Sequence, residues 1–377
     1  MLFLAVGGWL FIVSFWFVVY SGNSTRRTFT ELSGAKNPEI LTFREERKKP
    51  KVSEVRRVVY VRIPKTGSST ITLLVWRFAW IRNLTVLAVK PQFEGTRERL
   101  NREMFFLPPH GQKYDVMAEH VLYDKLSYAE YFAEDAIYFT LLREPFSMLY
   151  STLYYVPQFK KTITAENKVE TYLKNPAKYD NIGIMANRSY TKNPQASYLG
   201  LKRWDFDSMM KIDEFISSVD RDFPLVMILE RLDESLVFLR RILKWPMKDI
   251  IYSINNVNRH KPQLRFNPRQ KYIYRNWSFA DHKLYDYFLA KLEKAIQNGG
   301  AEFQDELDVY RKCKGDVTTY CRFRTITDET LWIPQSRYNE AFSVTRKDCS
   351  LIFVEPLVLI SSIRKRQNSF PYLSPSL

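Results

Sequence analysis

Residues 56–80, RRVVYVRIPKTGSSTITLLVWRFAW, limit the fold more than any other stretch. Val58 to Ile63 is a short apolar run rich in β-branched residues, the composition of a buried strand, and Pro64 ends it. From Ile71 to Ala79, the apolar positions Leu73, Leu74, Trp76 and Phe78 read as a largely buried helix. The turn between them is Lys65, Thr66, Gly67, Ser68, Ser69 and Thr70: one cation, one glycine and four hydroxyls.

A strand, a small-residue turn and a helix make an anion seat. The first helical turn has backbone N–H groups without intrahelical partners, and the helix dipole adds partial positive charge there. Gly67 lets the backbone approach a ligand closely, Lys65 brings a full charge, and Ser68, Ser69 and Thr70 bring donors. A phosphate or sulfate suits this composition. The stretch is not a Walker A loop, in which glycine leads and lysine follows. Here the lysine comes first. An ordinary strand–helix turn with a serine cap uses much the same residues, so spacing alone leaves both readings open.

At 377 residues the chain has room for one large α/β domain with additions, or two small ones. Its net charge of +16 points to an acidic partner: nucleotide phosphates, anionic glycans, nucleic acid or a membrane surface. No zinc-finger spacing, RNP pattern or basic zipper supports nucleic acid. Residues 1–20 carry no charged side chain, and about 20 apolar residues suffice to cross a bilayer as a helix. We expect a retained signal anchor, since a cleaved signal has a shorter apolar core of about 7–15 residues. Arg26 and Arg27 argue for a cytoplasmic body, whereas four N-x-[ST] sequons, at Asn23, Asn83, Asn187 and Asn276, argue for a lumenal one.

Residues 21–55 read as a polar, basic stem, 56–325 as the catalytic domain, and 326–377 as a C-terminal extension of unclear structure. Within the domain, runs at 84–89, 114–120, 136–142 and 225–229 read as strands, and patterns at 233–243 and 279–296 as amphipathic helices. Strands alternating with helices imply an α/β fold around a mostly parallel sheet. The three cysteines, Cys313, Cys321 and Cys349, have no CxxC spacing, which argues against a zinc site. In an oxidising lumen Cys313–Cys321 is the natural local disulfide; three buried thiols are the alternative.

The run at 136–142 passes directly into Arg143-Glu144-Pro145, and Ser151 follows Arg143 by about two helical turns. An arginine fork gives a phosphate two hydrogen bonds at once, and a serine on the next helix can add a donor. Taken alone the pair reads equally as a surface arginine and a helix serine. Downstream of PKTGSST, the two elements resemble the 5′-phosphosulfate loop and 3′-phosphate site of sulfotransferases that use 3′-phosphoadenosine-5′-phosphosulfate (PAPS). The stretches KTGSSTITLLVWRFAWIRNLTV, YDVMAEHVLYD, YFTLLREPFSMLYSTLYYVPQF, FPLVMILERLDESLVFLRRIL and NWSFADHKLYDYF cover most of residues 56–294. They are similar to the Golgi galactose-3-O-sulfotransferases, the family that includes galactosylceramide sulfotransferase. Pro64 stands where that family usually has a histidine, and nothing beyond Thr325 matches.

The resemblance implies a P-loop-like sulfotransferase fold in a single-pass type II Golgi membrane protein with a lumenal body. It implies sulfuryl transfer from PAPS, without a metal, to a sugar hydroxyl: the 3-OH of galactose in a glycolipid or glycoprotein glycan. Lys65 would then serve both binding and catalysis, neutralising the transferring group. Thr66, Gly67, Ser68, Ser69 and Thr70 would hold the 5′-phosphate, and Arg143 with Ser151 the 3′-phosphate. A histidine is the usual base near neutral pH. His120 ends a strand-like run where an active-site edge is expected, and matches the base of related sulfotransferases; Glu119 beside it is a candidate to orient it. His110 lies in a PPHG turn, His260 in a basic loop, and His282 in a charged helix where solvation is expected. Arg259, His260, Lys261 and Arg265 form a candidate lid, or a solvated basic loop, and Glu230 ends a strand.

Three other readings compete. A uronyl 2-O-sulfotransferase acting on glycosaminoglycan suits the +16 charge. A catalytically silent glycan- or anion-binding membrane protein of the same fold would not need the set Lys65, Arg143, Ser151 and His120. A kinase or NTPase conflicts with the lysine order.

Overall fold

Five β-branched runs come together as one sheet: β1 (Val58–Val61), β2 (Val86–Leu87), β3 (Val116–Met117), β4 (Ile137–Leu142) and β5 (Leu225–Ile228). The computed structural model describes residues 53–93, 98–108, 111–180, 189–253, 267–323 and 330–368. The expected anchor at 1–20, most of the stem, Asn23, His110, Asn187 and the basic run Arg259, His260, Lys261 and Arg265 lie outside the described residues. Among the described residues no helix is long and apolar enough to cross a membrane.

The strand order is β2-β3-β1-β4-β5, and every neighbouring pair is parallel. A parallel sheet is stable only when both faces are covered, and β1 shows how the residues achieve it. Val58 and Tyr60 join one apolar cluster, Val59 and Val61 another on the opposite face. Helix α1 (Ser68–Ile81) follows β1, and α2 (Lys125–Tyr131) follows β3. Between β4 and β5 lie α3 (Pro145–Tyr155), α4 (Pro157–Thr162), α5 (Lys168–Lys174), α6 (Pro176–Tyr179), α7 (Pro194–Tyr198) and α8 (Met209–Asp222). After β5 come α9 (Leu232–Leu243), α10 (Pro268–Trp277) and α11 (Phe279–Arg322). The fold is α/β, a parallel central sheet flanked by helices. Because β3 and β4 flank β1 while α1 leads away to the sheet edge, the carboxyl ends of these three strands meet at a topological switch point, the usual ligand position in such sheets.

The helix expected at 279–296 runs on to Arg322 and is broken at Gly300, which takes φ 52° and ψ −146°. That conformation is open to glycine and costly for other residues, so one helical stretch stops at the Gly299-Gly300 pair and a second continues to Arg322 at a new angle. This changes the cysteine pairing. Cys313 and Cys321 lie two turns apart on the same helix, a rise of about 12 Å, whereas a disulfide needs Cα atoms within about 7 Å. The disulfide instead joins Cys321 to Cys349, with Cα atoms 5.2 Å apart, and Cys313 is a buried free thiol.

Cys349 belongs to the region beyond Thr325, which does have structure. An antiparallel hairpin of β6 (Leu331–Ile333) and β7 (Phe342–Val344) leads into α12 (Arg346–Phe353) and α13 (Pro356–Asn368). Ile360 and Ile363 are buried in the same cluster as α1. The Gln367 amide accepts from Val86 N–H at 2.8 Å and donates to Val86 C=O at 2.9 Å, standing in for a strand neighbour at the β2 edge. Of the sequons within the described residues, Asn83 and Asn276 are exposed.

Candidate active site

The turn after β1 is held in a conformation that few residues tolerate. Lys65 and Gly67 have φ of 65° and 80°, and a Cβ built on Gly67 would lie 2.8 Å from Leu229 Cδ1. Left-handed backbone at a lysine carries strain and is found where the surroundings impose it. Thr66 helps impose it: fully buried, its hydroxyl donates to Ile63 C=O at 2.9 Å, tying the turn to the strand end. Gly67 is the N-cap of α1 and has no side chain to offer, so the first-turn amides at Ser68 and Ser69 face the turn uncapped. Ser68 is buried, and Ser69 Oγ lies 3.5 Å from Arg62 Nη2.

Strand register brings the other residues alongside. Val61 pairs with Thr140, so three residues on Pro64 stands level with Arg143. The Arg143 guanidinium donates through Nη1 to Lys65 C=O at 2.9 Å. Its Nε is buried without a hydrogen-bond partner among the described residues. Burial pushes this guanidinium below its ordinary pKa, against the opposing pull of Glu230 and Glu144. A part-buried cation with an unused donor is what an anionic ligand satisfies. Lys65 Nζ stands 4.9 Å over the Tyr155 ring. Ser151, buried on α3, is one turn from Tyr155 and shares its face. Lys65, Arg143 and Ser151 are thus gathered around α3.

The same arithmetic works on the other side. Val59 pairs with Met117, so Arg62 stands level with His120. His120 Nδ1 lies 2.9 Å from Arg62 C=O. A carbonyl only accepts, so Nδ1 carries the proton, and in the neutral ring the lone pair lies on Nε2. The ring meets Tyr198 edge-on, centroids 6.4 Å apart. His282 is buried rather than solvated, its Nδ1 2.9 Å from Ser278 C=O, and burial pushes its pKa down. Glu230, at the end of β5, accepts from Glu144 N–H and Tyr285 OH, both at 3.1 Å.

A family model described as galactose-3-O-sulfotransferase matches residues 2–337. The chain belongs to this family. It is 31% identical over 265 residues to galactose-3-O-sulfotransferase 3 of Mus musculus, an alignment covering 67% of this chain and 60% of the relative. Galactose-3-O-sulfotransferase 2 of Homo sapiens is 26% identical over 280 residues, 71% of this chain and 68% of the relative. Galactosylceramide sulfotransferase of Homo sapiens is 27% identical over 278 residues, 71% and 64% respectively. The chain therefore spans 60–68% of the length of these curated relatives.

Two members of the site escape a sequence reading. Gln195 clamps the Arg143 main chain, and Asp281 holds Gln195 from 86 residues away. Ser278-x-x-Asp281 has the pattern of a capping box for its own helix, but Ser278 makes no side-chain cap there and the Asp281 carboxylate reaches α7 instead. Among the described residues no group of three or more His, Cys, Asp or Glu side chains is placed to hold a metal ion.

Proposed function

We propose that this chain is a carbohydrate sulfotransferase that moves a sulfuryl group from PAPS to a sugar hydroxyl, the 3-OH of galactose. The observation that carries the proposal is the convergence of three strand ends. The Lys65 turn after β1 lies between Arg143 after β4 and His120 after β3, each tied to the β1 exit by a 2.9 Å contact. Membership of the galactose-3-O-sulfotransferase family supports the same reaction class and the galactose acceptor.

The donor supplies an activated sulfuryl group joined to a phosphate. The residues present fit it: uncapped α1 amides with Ser68, Ser69 and Thr70 would hold the 5′-phosphate, and the unused Nε of Arg143 with Ser151 the 3′-phosphate. Lys65 provides fixed positive charge where negative charge develops as the sulfur–oxygen bond breaks. His120 Nε2 takes the proton of the attacking hydroxyl, and Arg62 C=O holds the ring in the tautomer this requires. We place the body in the Golgi lumen behind an N-terminal anchor, a reading supported by the Cys321–Cys349 disulfide and by exposed sequons at Asn83 and Asn276.

The experiment is transfer of labelled sulfate from PAPS to parallel panels of galactosides and of heparan and dermatan chains. Transfer to galactosides, with the label on the 3-position, is the expected result. Transfer confined to uronyl-containing chains would replace the acceptor but keep the reaction; no transfer and no binding of the product nucleotide 3′,5′-ADP would overturn the proposal.

A further inference from the structure

Arg143 sits one residue past the end of β4, where the sheet ladder has stopped, yet its main chain is fully bonded. Its N–H donates to Gln195 Oε1 and its C=O accepts from Gln195 Nε2, both at 2.9 Å. One side-chain amide thus does what a neighbouring strand would do, and extends the ladder to the residue that carries the guanidinium. Gln195 is fully buried, and both ends of its amide bond this one residue.

Gln195 is itself held from behind. Asp281, also fully buried, accepts from the Gln195 and Ala196 amides at 3.0 and 2.8 Å. Its own N–H donates to Asn193 Oδ1 at 3.1 Å, and Asn193 Oδ1 also accepts from Ser278 Oγ at 3.2 Å. Asn193 closes the ring by donating its N–H to Ser278 Oγ at 3.0 Å, in the left-handed conformation that asparagine tolerates. Burial pushes the Asp281 carboxyl up to about 7 despite the Ala196 and Gln195 backbone amides and the Gln195 side chain that hydrogen-bond to it. The other end of α7 reaches the base: Tyr198 packs on His120, and its C=O accepts from Tyr123 N–H at 2.9 Å. One short helix spans the gap between the arginine and the histidine.

We propose that Gln195, locked by Asp281, is a positioning residue that fixes the Arg143 main chain and so aims its guanidinium at the donor's phosphate. The identity of the ligand rests on the function proposed above; the clamp is a property of the ligand-free chain. A residue acting through Arg143 makes a prediction that a general structural role does not: its effect on the donor disappears once Arg143 is gone.

The test uses the full chain and two readouts. The first is amide hydrogen exchange across residues 142–147 without ligand, in the wild type, Gln195→Ala and Gln195→Glu. Exchange at Arg143 should quicken about tenfold or more in Gln195→Ala. Gln195→Glu keeps the acceptor for that N–H, should restore much of the protection, and serves if the alanine variant does not fold. The second is 3′,5′-ADP affinity in a Gln195→Ala, Arg143→Ala double-mutant cycle. Gln195→Ala should weaken binding about tenfold when Arg143 is present and little in the Arg143→Ala background, with the galactoside KM unchanged. Unchanged exchange, or an equal loss of affinity in both backgrounds, would overturn the proposal. Faster exchange in a chain that binds no 3′,5′-ADP would support the clamp and contradict the donor reading.

Discussion

Lys65, Gly67 and Arg143 can all be found in the sequence because their chemistry is local: a strand end, a turn, and the residue types that bind an anion. What surrounds them is not. Gly67→Ala tests the turn, since alanine at φ 80° is strained and its Cβ would meet Leu229. We expect a loss of about 1–3 kcal/mol in urea unfolding, with weakened 3′,5′-ADP binding; unchanged stability would mean the turn is not as rigid as it looks. Asp281 gives a prediction in pH. Its carboxyl holds a proton more tightly folded than unfolded, with a folded value of about 7. Its contribution is therefore fully present below the unfolded value of about 4 and is lost as pH rises through about 7. His282 next to it runs the other way, because a buried neutral imidazole loses stability as pH falls through its unfolded value of about 6.5. Comparing wild type with Asp281→Asn in urea at pH 4 to 8 isolates the carboxyl. The advantage of wild type over variant should shrink with rising pH, and a difference independent of pH would contradict the assignment.

At the scale of elements, strand identity was legible and strand pairing was not. β-branched runs announce β1, β4 and β5, but no residue pattern states that Val59 lies beside Met117 and Val61 beside Thr140. Those registers are what set His120 and Arg143 against the Lys65 turn. The runs at 84–89 and 114–120 shorten to two paired residues each, because apolar composition marks burial and not hydrogen bonding. The Gly299-Gly300 pair breaks the helix, as its composition suggests, but nothing local announces the second helical stretch that follows to Arg322. The disulfide is not legible in cysteine spacing either, since proximity in sequence along one helix is distance in space. Cys321→Ser should cost about 3–4 kcal/mol by opening a loop of 28 residues. It should also abolish the effect of reductant on the urea midpoint, which Cys313→Ser should leave in place. Loss of that effect in Cys313→Ser would contradict the pairing.

For the whole molecule, the parallel sheet puts three loops from three different strands on one edge, and the chemistry divides among them. In the proposed reaction the turn after β1 and the residue after β4 would hold charge on the donor side, and the residue after β3 would handle the proton. The C-terminal hairpin and helices close the opposite side of α1, and Gln367 finishes the β2 edge. The apolar stripe of α13 gave little sequence signal because its partners are far upstream. The division of labour is the central claim, and one comparison tests it: 3′,5′-ADP affinity and PAPS-dependent turnover in Lys65→Ala, Arg143→Ala and His120→Ala. The first two should lose affinity and turnover together. His120→Ala should keep wild-type affinity for 3′,5′-ADP while turnover falls about 10²–10⁴-fold. A His120→Ala variant that keeps its turnover, or that loses the nucleotide as completely as Lys65→Ala does, would contradict the account.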